Sequence, residues 1–315
     1  MTILITGANG FIGKQLHRHF LNRGFSVRGV VRHRDKQGDD AQDCVELDAP
    51  LETFDWTRIL DGVDTIVHTA ARVHVFKETS RNPREAFNSV NVQGTLNLAR
   101  YAARAGVHRF VFFSSIGVHG SEWAAPITEQ SNLAPQTPYA ESKLRAEKEL
   151  ESVCSGSEME FVIIRPPLVF GAGAPGNIDR LVRLVRFGLP LPFRGVNNRR
   201  SVVSIANLCA FVELCVTRPE AAGEVFLVAD NEAVSTMDMV NAIAEGLGRK
   251  SVSFYFPPSV IRLLLRLLGQ SRLYAQLFRS LEIDTGKARE LLGWSGGVPT
   301  RDALREMSSA SASEQ

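Results

Sequence analysis

The sequence lacks any run of about 18 or more apolar residues, so nothing in it predicts a helix that crosses a bilayer. It also lacks an excess of one charge. Lys and Arg (36) nearly balance Asp and Glu (34), the formal net charge is +2, and no concentrated basic stripe points to a nucleic-acid partner. Cysteine is sparse. Cys44, Cys154, Cys209 and Cys215 stand without metal-ligand or disulfide-framework spacing and read as reduced thiols. The seven histidines form no H-x-x-x-H pair and no Cys/His cluster, so no metal is expected. The first residues, Met-Thr-Ile-Leu-Ile-Thr-Gly, enter a strand at once without a basic n-region or a cleavable apolar segment, and a cytoplasmic location is the expectation. What is present is ordinary for a globular chain. With 315 residues, 44% hydrophobic and 22% charged, there is material for one large domain or a domain plus a lobe.

The first informative stretch is Thr2 to Thr6, an apolar run ending in Gly7-Ala8-Asn9-Gly10-Phe11-Ile12-Gly13. Helical periodicity follows, with Ile12, Leu16 and Phe20 on one face and Gly24 as the stop. In a strand–turn–helix of this kind Gly7 permits the tight turn, Gly10 lets the backbone approach a pyrophosphate, and Gly13 lets the helix pack closely. Phosphates are held by the free amides and dipole of the helix N-terminus. The spacing is G-x-x-G-x-x-G rather than G-x-G-x-x-G, and the surrounding βαβ context gives it meaning. A second strand, Ser26 to Val31, ends in Arg32-His33-Arg34 with no acid before Asp35. An acid there binds a ribose 2′-hydroxyl, whereas an arginine accommodates a 2′-phosphate, so NADP(H) is favoured with NAD(H) as the alternative.

The alternation continues. Cys44 to Leu47 is a third strand ending at Asp48, placed to meet the adenine. Asp64 to His68 is a fourth, followed by Thr69-Ala70-Ala71, whose small side chains let a cofactor approach. A long helix is expected from about Pro83 to Ala105, carrying Asn88 and Asn91, then a fifth strand, Arg109 to Ser115, ending in Ser114-Ser115. Glu160 to Arg165 is a sixth, and Val225 to Val228 returns as a further one. Strands alternating with helices predict an α/β fold, a Rossmann-type doubly wound parallel sheet with a smaller mixed α/β C-terminal substrate lobe. Residues 1–165 form the dinucleotide domain, with a returning strand near 202–228. Residues 166–307 are mostly the lobe, and 308–315, with no core-forming residues, are expected to be a disordered tail.

Thr137-Pro138 reads as a helix cap with proline at the first position. Tyr139 and Lys143 then lie four residues apart on one helix face. A tyrosine titrates near pH ~10, and an ammonium within about 4–6 Å is expected to lower that value. The phenol can then exchange a proton with a carbinol or carbonyl oxygen that Ser115 holds by a hydrogen bond, while the cofactor handles the hydride. Y-x-x-x-K alone is common on helices. Downstream of a dinucleotide turn and a strand-end Ser-Ser it carries weight.

Taken together the chain resembles the extended short-chain dehydrogenase/reductase family, in particular its nucleotide-sugar epimerases, dehydratases and reductases. The carrying residues are Thr6 to Gly13, Asp48, His68-Thr69-Ala70-Ala71, Asn91-Val92-Gln93-Gly94-Thr95, Phe113-Ser114-Ser115, Pro138-Tyr139 to Lys143, and Arg165-Pro166-Pro167-Leu168-Val169-Phe170-Gly171. Through Pro175-Gly176-Asn177 and Arg199 to Val203 the resemblance covers nearly the whole chain. It implies Ser115, Tyr139 and Lys143 as the catalytic triad, with Lys143 also on the nicotinamide ribose and Asn91 as a structural helper. It further implies a cofactor site drawing on Asn9, Phe11, Ile12, Ala70, Ala71, Ser114 and Pro166, and a homodimer through the helices holding Asn91 and Tyr139. Asn177 and Arg200 match positions that hold a sugar-nucleotide diphosphate, for which an arginine fork is suited.

There are departures from the sugar epimerases. Val118-His119-Gly120 replaces their usual Val-Tyr-Gly, with His119 read as a loop histidine, and Arg32 replaces the acid of NAD-dependent members. Within the family the runs Ala70 to Val75, Arg165 to Val169 and Asn198 to Ser201 are similar to the 4-keto sugar reductases of bacterial surface-polysaccharide (O-antigen, lipopolysaccharide) clusters, which form UDP-N-acetylquinovosamine. The resemblance thus implies a UDP-linked sugar substrate. The competing readings are a UDP-sugar 4-epimerase with tightly bound NAD, a non-catalytic dinucleotide sensor on the same fold, and a reductase of a non-nucleotide ketone.

Two stretches on the substrate side complete the reading. Leu189 to Phe193 is expected to run extended along the nucleotide. Pro257-Pro258-Ser259 opens an apolar helix, Val260 to Leu268, interrupted by Arg262 and Arg266. Its composition suits either the core of the lobe or a weak contact with a membrane surface, and its short length and light charge favour the core.

Overall fold

The protein is described by a computed structural model covering residues 1–33, 44–73, 82–121, 123 and 125–313. Arg34, Asp35, His74 and Val75 lie outside the described residues.

Among the described residues, seven strands form one parallel sheet. They are β1 (Thr2–Thr6), β2 (Ser26–Val31), β3 (Cys44–Glu46), β4 (Thr65–His68), β5 (Arg109–Phe113), β6 (Glu160–Arg165) and β9 (Glu224–Leu227), in the order β3-β2-β1-β4-β5-β6-β9. Every pairing is parallel, so the C-terminal ends of all seven strands lie along one edge of the sheet. The order reverses between β1 and β4, which is where a doubly wound sheet opens a crevice for a ligand. Strands buried on both faces must be apolar throughout. Ile3 and Ile5 of β1 and Val111 and Phe113 of β5 join one core, while Leu4, Phe110 and Phe112 join the opposite one.

Helix α1 (Phe11–Asn22) covers the first face with Leu16 and Phe20, alongside α6 (Ile205–Thr217). The second face is covered by α3 (Gly94–Arg104) and α4 (Pro138–Ser155). The long helix expected from Pro83 to Ala105 is there, but not as a uniform α-helix. It runs as α2 (Pro83–Phe87), a wider π-helical turn at Asn88–Gln93, and α3. The π turn carries Asn91, whose side chain it delivers into the interior at 1% exposure.

A smaller unit follows β6. Strands β7 (Leu168–Phe170) and β8 (Val202–Ser204) form a two-stranded parallel sheet, and α5 (Asn177–Arg186), α7 (Thr236–Gly246) and α11 (Thr300–Ser313) enclose a third core around Ile178, Ile243 and Leu304. The chain returns to the main sheet as β9, which pairs with β6. Leu189 to Phe193, expected to be extended, contains one bridging residue, Leu191, paired with Ser253, and then turns.

Two expectations are corrected. The residues from 308 onward do not form a disordered tail as far as they are described: α11 continues to Ser313, and Ser308 is fully buried because Ala and Ser fit the close approach of α11 to Gly246. The apolar helix α8 (Pro258–Leu267) is not a core helix either. None of its residues is buried, and its neighbour is α9 (Ser271–Phe278), to which the Gly269 turn joins it. No described helix is long and apolar enough to cross a membrane.

Candidate active site

The glycine turn shows why each glycine is there. Gly7 sits at φ +69°, a conformation that L side chains rarely adopt, and its carbonyl accepts from Gly10 N at 2.9 Å. A Cβ at Gly13 would collide with the Gly7 carbonyl, 2.8 Å from its carbon and 2.9 Å from Thr69 Oγ1. Gly10 caps α1 without any side-chain bond, so the first amides of the helix are left to an anion. This is a cradle that side chains would fill, and it fits the pyrophosphate of a dinucleotide. Asn9 lies beside it, donating to the His33 carbonyl at 3.1 Å, and Arg32 and Asp48 are exposed at the ends of β2 and β3. Phe11 leans the other way, onto the core of the smaller unit.

The residues expected to be catalytic lie about the end of β5 and the first turn of α4. Ser115 leaves the strand as cap of a 3₁₀ turn at Ile116–His119, its Oγ accepting from Gly117 N at 3.1 Å. Gly117 is the spacer. A Cβ there would touch Ser115 Oγ at 3.4 Å on one side and Ala140 Cβ at 3.6 Å on the other, which sets the serine hydroxyl against the first turn of α4. That turn is built as the sequence implies: Thr137 Oγ1 accepts from Ala140 N at 3.1 Å, and Pro138 occupies the first position. Tyr139 packs edge-on to Phe87 of α2, ring centroids 6.1 Å apart. Lys143, 2% exposed, donates to the Phe113 carbonyl at 2.6 Å and lies 4.6 Å from the centre of the Phe112 ring. Ser114 Oγ is buried with no hydrogen-bond partner, and Pro166 is held to the same loop by Ile116 N at 3.0 Å. An orphaned hydroxyl at this strand end fits a ligand that supplies its bond.

Electrostatics correct one expectation. Lys143 does not bring the Tyr139 phenol down toward neutrality. Burial pushes the phenol up to about 12, and burial lowers the lysine to about 7, opposed by the Glu147 carboxylate one turn on. The physical reason is desolvation: two groups taken from water each retreat to their neutral forms unless partnered strongly. Burial thus favours the protonated phenol and the neutral amine.

A buried polar chain ties the two halves of the site together. Thr6 Oγ1 lies 2.7 Å from His68 Nδ1, His68 Nε2 lies 2.9 Å from Thr95 Oγ1, and Thr95 Oγ1 donates to the Asn91 carbonyl at 2.8 Å. Because the Thr95 hydroxyl is committed as donor, its oxygen accepts from Nε2–H, and Nδ1 accepts from Thr6. Neutral His68 satisfies this order, and burial followed by the Lys143 charge lowers its pKa to about 3. Asn91 in turn donates to Ser142 Oγ (2.9 Å) and the Arg72 carbonyl (3.0 Å) and accepts from Arg72 N (2.8 Å), while Ser142 donates to the Tyr139 carbonyl at 2.8 Å. Asn91 thus fixes the Ala70-Ala71-Arg72 segment against the helix that carries Tyr139.

Three residues matter more than their sequence signals suggest. His68 is visible as a polar residue ending an apolar strand. Glu147 continues the Tyr139–Lys143 spacing by one more turn, and binds Arg165 bidentately at 3.0 and 2.6 Å with both side chains buried. His119 is no loop histidine: it is fully buried, its Nε2 3.1 Å from Arg165 Nη1 and its Nδ1 3.1 Å from the Ser131 carbonyl. Asn177 and Arg200 are brought to a common neighbour, α9. Asn177 donates to Gln276, and Arg200 Nη1 donates to the carbonyls of Arg279 (2.9 Å) and Ala275 (3.4 Å). Among the described residues no group of three or more His, Cys, Asp or Glu could hold a metal ion.

The fold and the glycine cradle define the class of protein, an enzyme of the dinucleotide-dependent kind. Over residues 3–229 the sequence matches the NAD dependent epimerase/dehydratase family, and the chain belongs to it, within the extended short-chain dehydrogenases/reductases. It is 36% identical over 313 residues to a UDP-glucose 4-epimerase of Vibrio cholerae, covering 98% of this chain and 95% of that one. It is 26% identical over 263 residues to an N-acetyl-α-D-glucosaminyl-diphospho-ditrans,octacis-undecaprenol 4-epimerase of Escherichia coli O157:H7, covering 81% of this chain and 75% of that protein. The fold is shared with a UDP-glucuronic acid 4-epimerase from Bacillus cereus in complex with NAD, at TM-score 0.79 and 19% identity, over 100% of this chain and 99% of that one.

Proposed function

We propose that this enzyme reduces the C4 keto group of a UDP-4-keto-6-deoxy-N-acetylhexosamine, with NADP(H) favoured over NAD(H). The observation that carries the reading is the placement of Ser115, across Gly117, against the helix turn that holds a protonated Tyr139. When bound, the dinucleotide supplies hydride. Tyr139 gives its proton to the C4 oxygen, and Ser115 donates a hydrogen bond that fixes that oxygen. Lys143, charged in part near neutrality, stabilises the phenolate left behind and contacts the nicotinamide ribose. Ser114, Ala70, Ala71 and Pro166 line the cofactor's path from the Gly7–Gly13 cradle, and Asn177 and Arg200 hold the diphosphate of the sugar nucleotide. Arg32, standing where an acid would select the 2′-hydroxyl, supports the phosphorylated cofactor. The functional unit is a cytoplasmic homodimer joined through the helical stretch that holds Asn91 and the helix α4 that holds Tyr139.

A second reading, a UDP-sugar 4-epimerase with tightly held NAD, is favoured by the 36% identity to the Vibrio cholerae enzyme of that name. The two are separated by incubating the protein with NADPH or NADH and a panel of UDP-4-keto sugars, recording the nicotinamide absorbance and the product. Stoichiometric cofactor loss supports the reductase. Isomerisation of a UDP-sugar with no net loss, together with NAD released on denaturation, supports the epimerase and overturns the first reading.

A further inference from the structure

Helix α8 carries an apolar stripe that none of the described residues covers. Val260, Leu263, Leu264, Leu267 and Leu268 follow the spacing of one helix face, and they are 39%, 56%, 49%, 75% and 70% exposed. The segment leading into the helix adds Phe254, Tyr255 and Phe256 at 41%, 65% and 36%. A soluble surface rarely gathers so many large apolar side chains on one short element. Ile261 and Leu265, which border the stripe, are half-buried.

Charge chooses among the surfaces that could cover this stripe. From Leu247 to Leu281 the sequence contains no Asp or Glu, while it contains Arg249, Lys250, Arg262, Arg266, Arg272 and Arg279. This acid-free basic segment coincides with a helix whose apolar stripe is exposed. Arg262 and Arg266, one turn apart and exposed, flank the stripe, and no carboxylate among the described residues pairs with them. An apolar face flanked by arginines and led by exposed aromatics is the pattern of a helix lying in the interfacial plane of a bilayer.

We infer that α8 and the Phe254–Phe256 segment dock on the surface of an anionic phospholipid membrane, with the leucines among the upper acyl chains and the arginines at the headgroup phosphates. The helix does not span the bilayer. Because α8 turns directly into α9, to which Asn177 and Arg200 are bonded, docking holds the substrate side of the cleft next to the membrane plane, a consequence that rests on the proposed role of those two residues.

Vesicle co-sedimentation of the full-length protein tests this without substrate, so its outcome is independent of the catalytic reading. The wild type is expected to sediment with phosphatidylglycerol-containing vesicles, more weakly with pure phosphatidylcholine, and less as salt rises. Leu263→Asp/Leu267→Asp is expected to lower the bound fraction by roughly tenfold or more. Arg262→Glu/Arg266→Glu, which leaves the apolar stripe intact, is expected to lose the preference for anionic vesicles. Circular dichroism melts report that each variant is folded. A wild type that stays in the supernatant with anionic vesicles, or variants that sediment equally with it, overturns the proposal. So does a wild-type dimer that the leucine variant converts to monomer while vesicles bind neither, since a second copy of the chain is then what covers the face.

Discussion

Helices α4 and α8 are both amphipathic, and the fold uses them in opposite ways. On α4 the apolar positions Ala146, Leu150 and Cys154 are buried against the sheet, and even Lys143 and Glu147 are 2% exposed. On α8 and its C-cap five large apolar residues face outward, and none of the helix residues is buried. The difference lies in what each helix finds opposite it. A parallel sheet buried on both faces demands a helix at the position of α4, whereas the smaller unit already fills its core from α5, α7 and α11. Apolar periodicity therefore specifies that a helix forms and which face is sticky. It does not specify whether protein, lipid or another chain meets that face.

The comparison can be broken by substitution. The largest effect belongs to the α4 residue proposed as the acid: Tyr139→Phe is expected to reduce turnover by about 10²- to 10⁴-fold while melting and dinucleotide binding stay near wild type. Unchanged turnover would place the chemistry elsewhere. Next is Glu147→Gln, which leaves the buried Arg165 charge without its counter-ion. A loss of about 3–5 kcal/mol in denaturant unfolding is expected, because an uncompensated charge in the interior is costly. The hydrophobic pair then reads the contrast directly. Leu150→Ala on α4 should cost about 2–5 kcal/mol, and Leu267→Ala on α8 should stay within about 0.5 kcal/mol. Equal costs at the two sites would mean that α8 is packed in solution.

A pH dependence tests the buried polar chain. His68 titrates near 3 in the fold against 6.5 for an unperturbed imidazole, so between those values the unfolded chain binds a proton that the folded chain refuses. Its contribution to stability is complete above pH 6.5 and is lost as the pH falls toward 3. Urea melts across that range should fall more steeply for the wild type than for His68→Gln. Parallel curves would show that His68 carries no such linkage.

Much of the nucleotide half was legible because its signals are local. Gly7, Gly10 and Gly13 are required by a turn made within a few residues, and Thr137-Pro138 caps a helix whose first turn presents Tyr139. What could not be read depends on distance through space. The raised pKa of Tyr139 follows from its burial in the folded chain, whereas spacing alone made Lys143 prominent. His68, Thr95, Asn91 and Ser142 come from three separate segments, and no spacing rule joins them. The strand bounds differed from the expected ones by a residue at β3, β4 and β9 and by two at β5, and the π turn at Asn88–Gln93 broke a helix that periodicity made continuous. The helical end of the chain was missed for the opposite reason. Small Ala and Ser residues look featureless, but they suit a close helix contact such as that of α11 with Gly246.

The most direct measurement follows a label. NADPH carrying deuterium at the transferred position of the nicotinamide is incubated with the protein and a UDP-4-keto-6-deoxy-N-acetylhexosamine, and the product is analysed for deuterium at C4. A reductase built around Ser115, Tyr139 and Lys143 predicts one deuterium on C4 for each NADPH consumed by the wild type. A product free of deuterium, or a UDP-sugar isomerised with the NADPH left intact, would contradict the account.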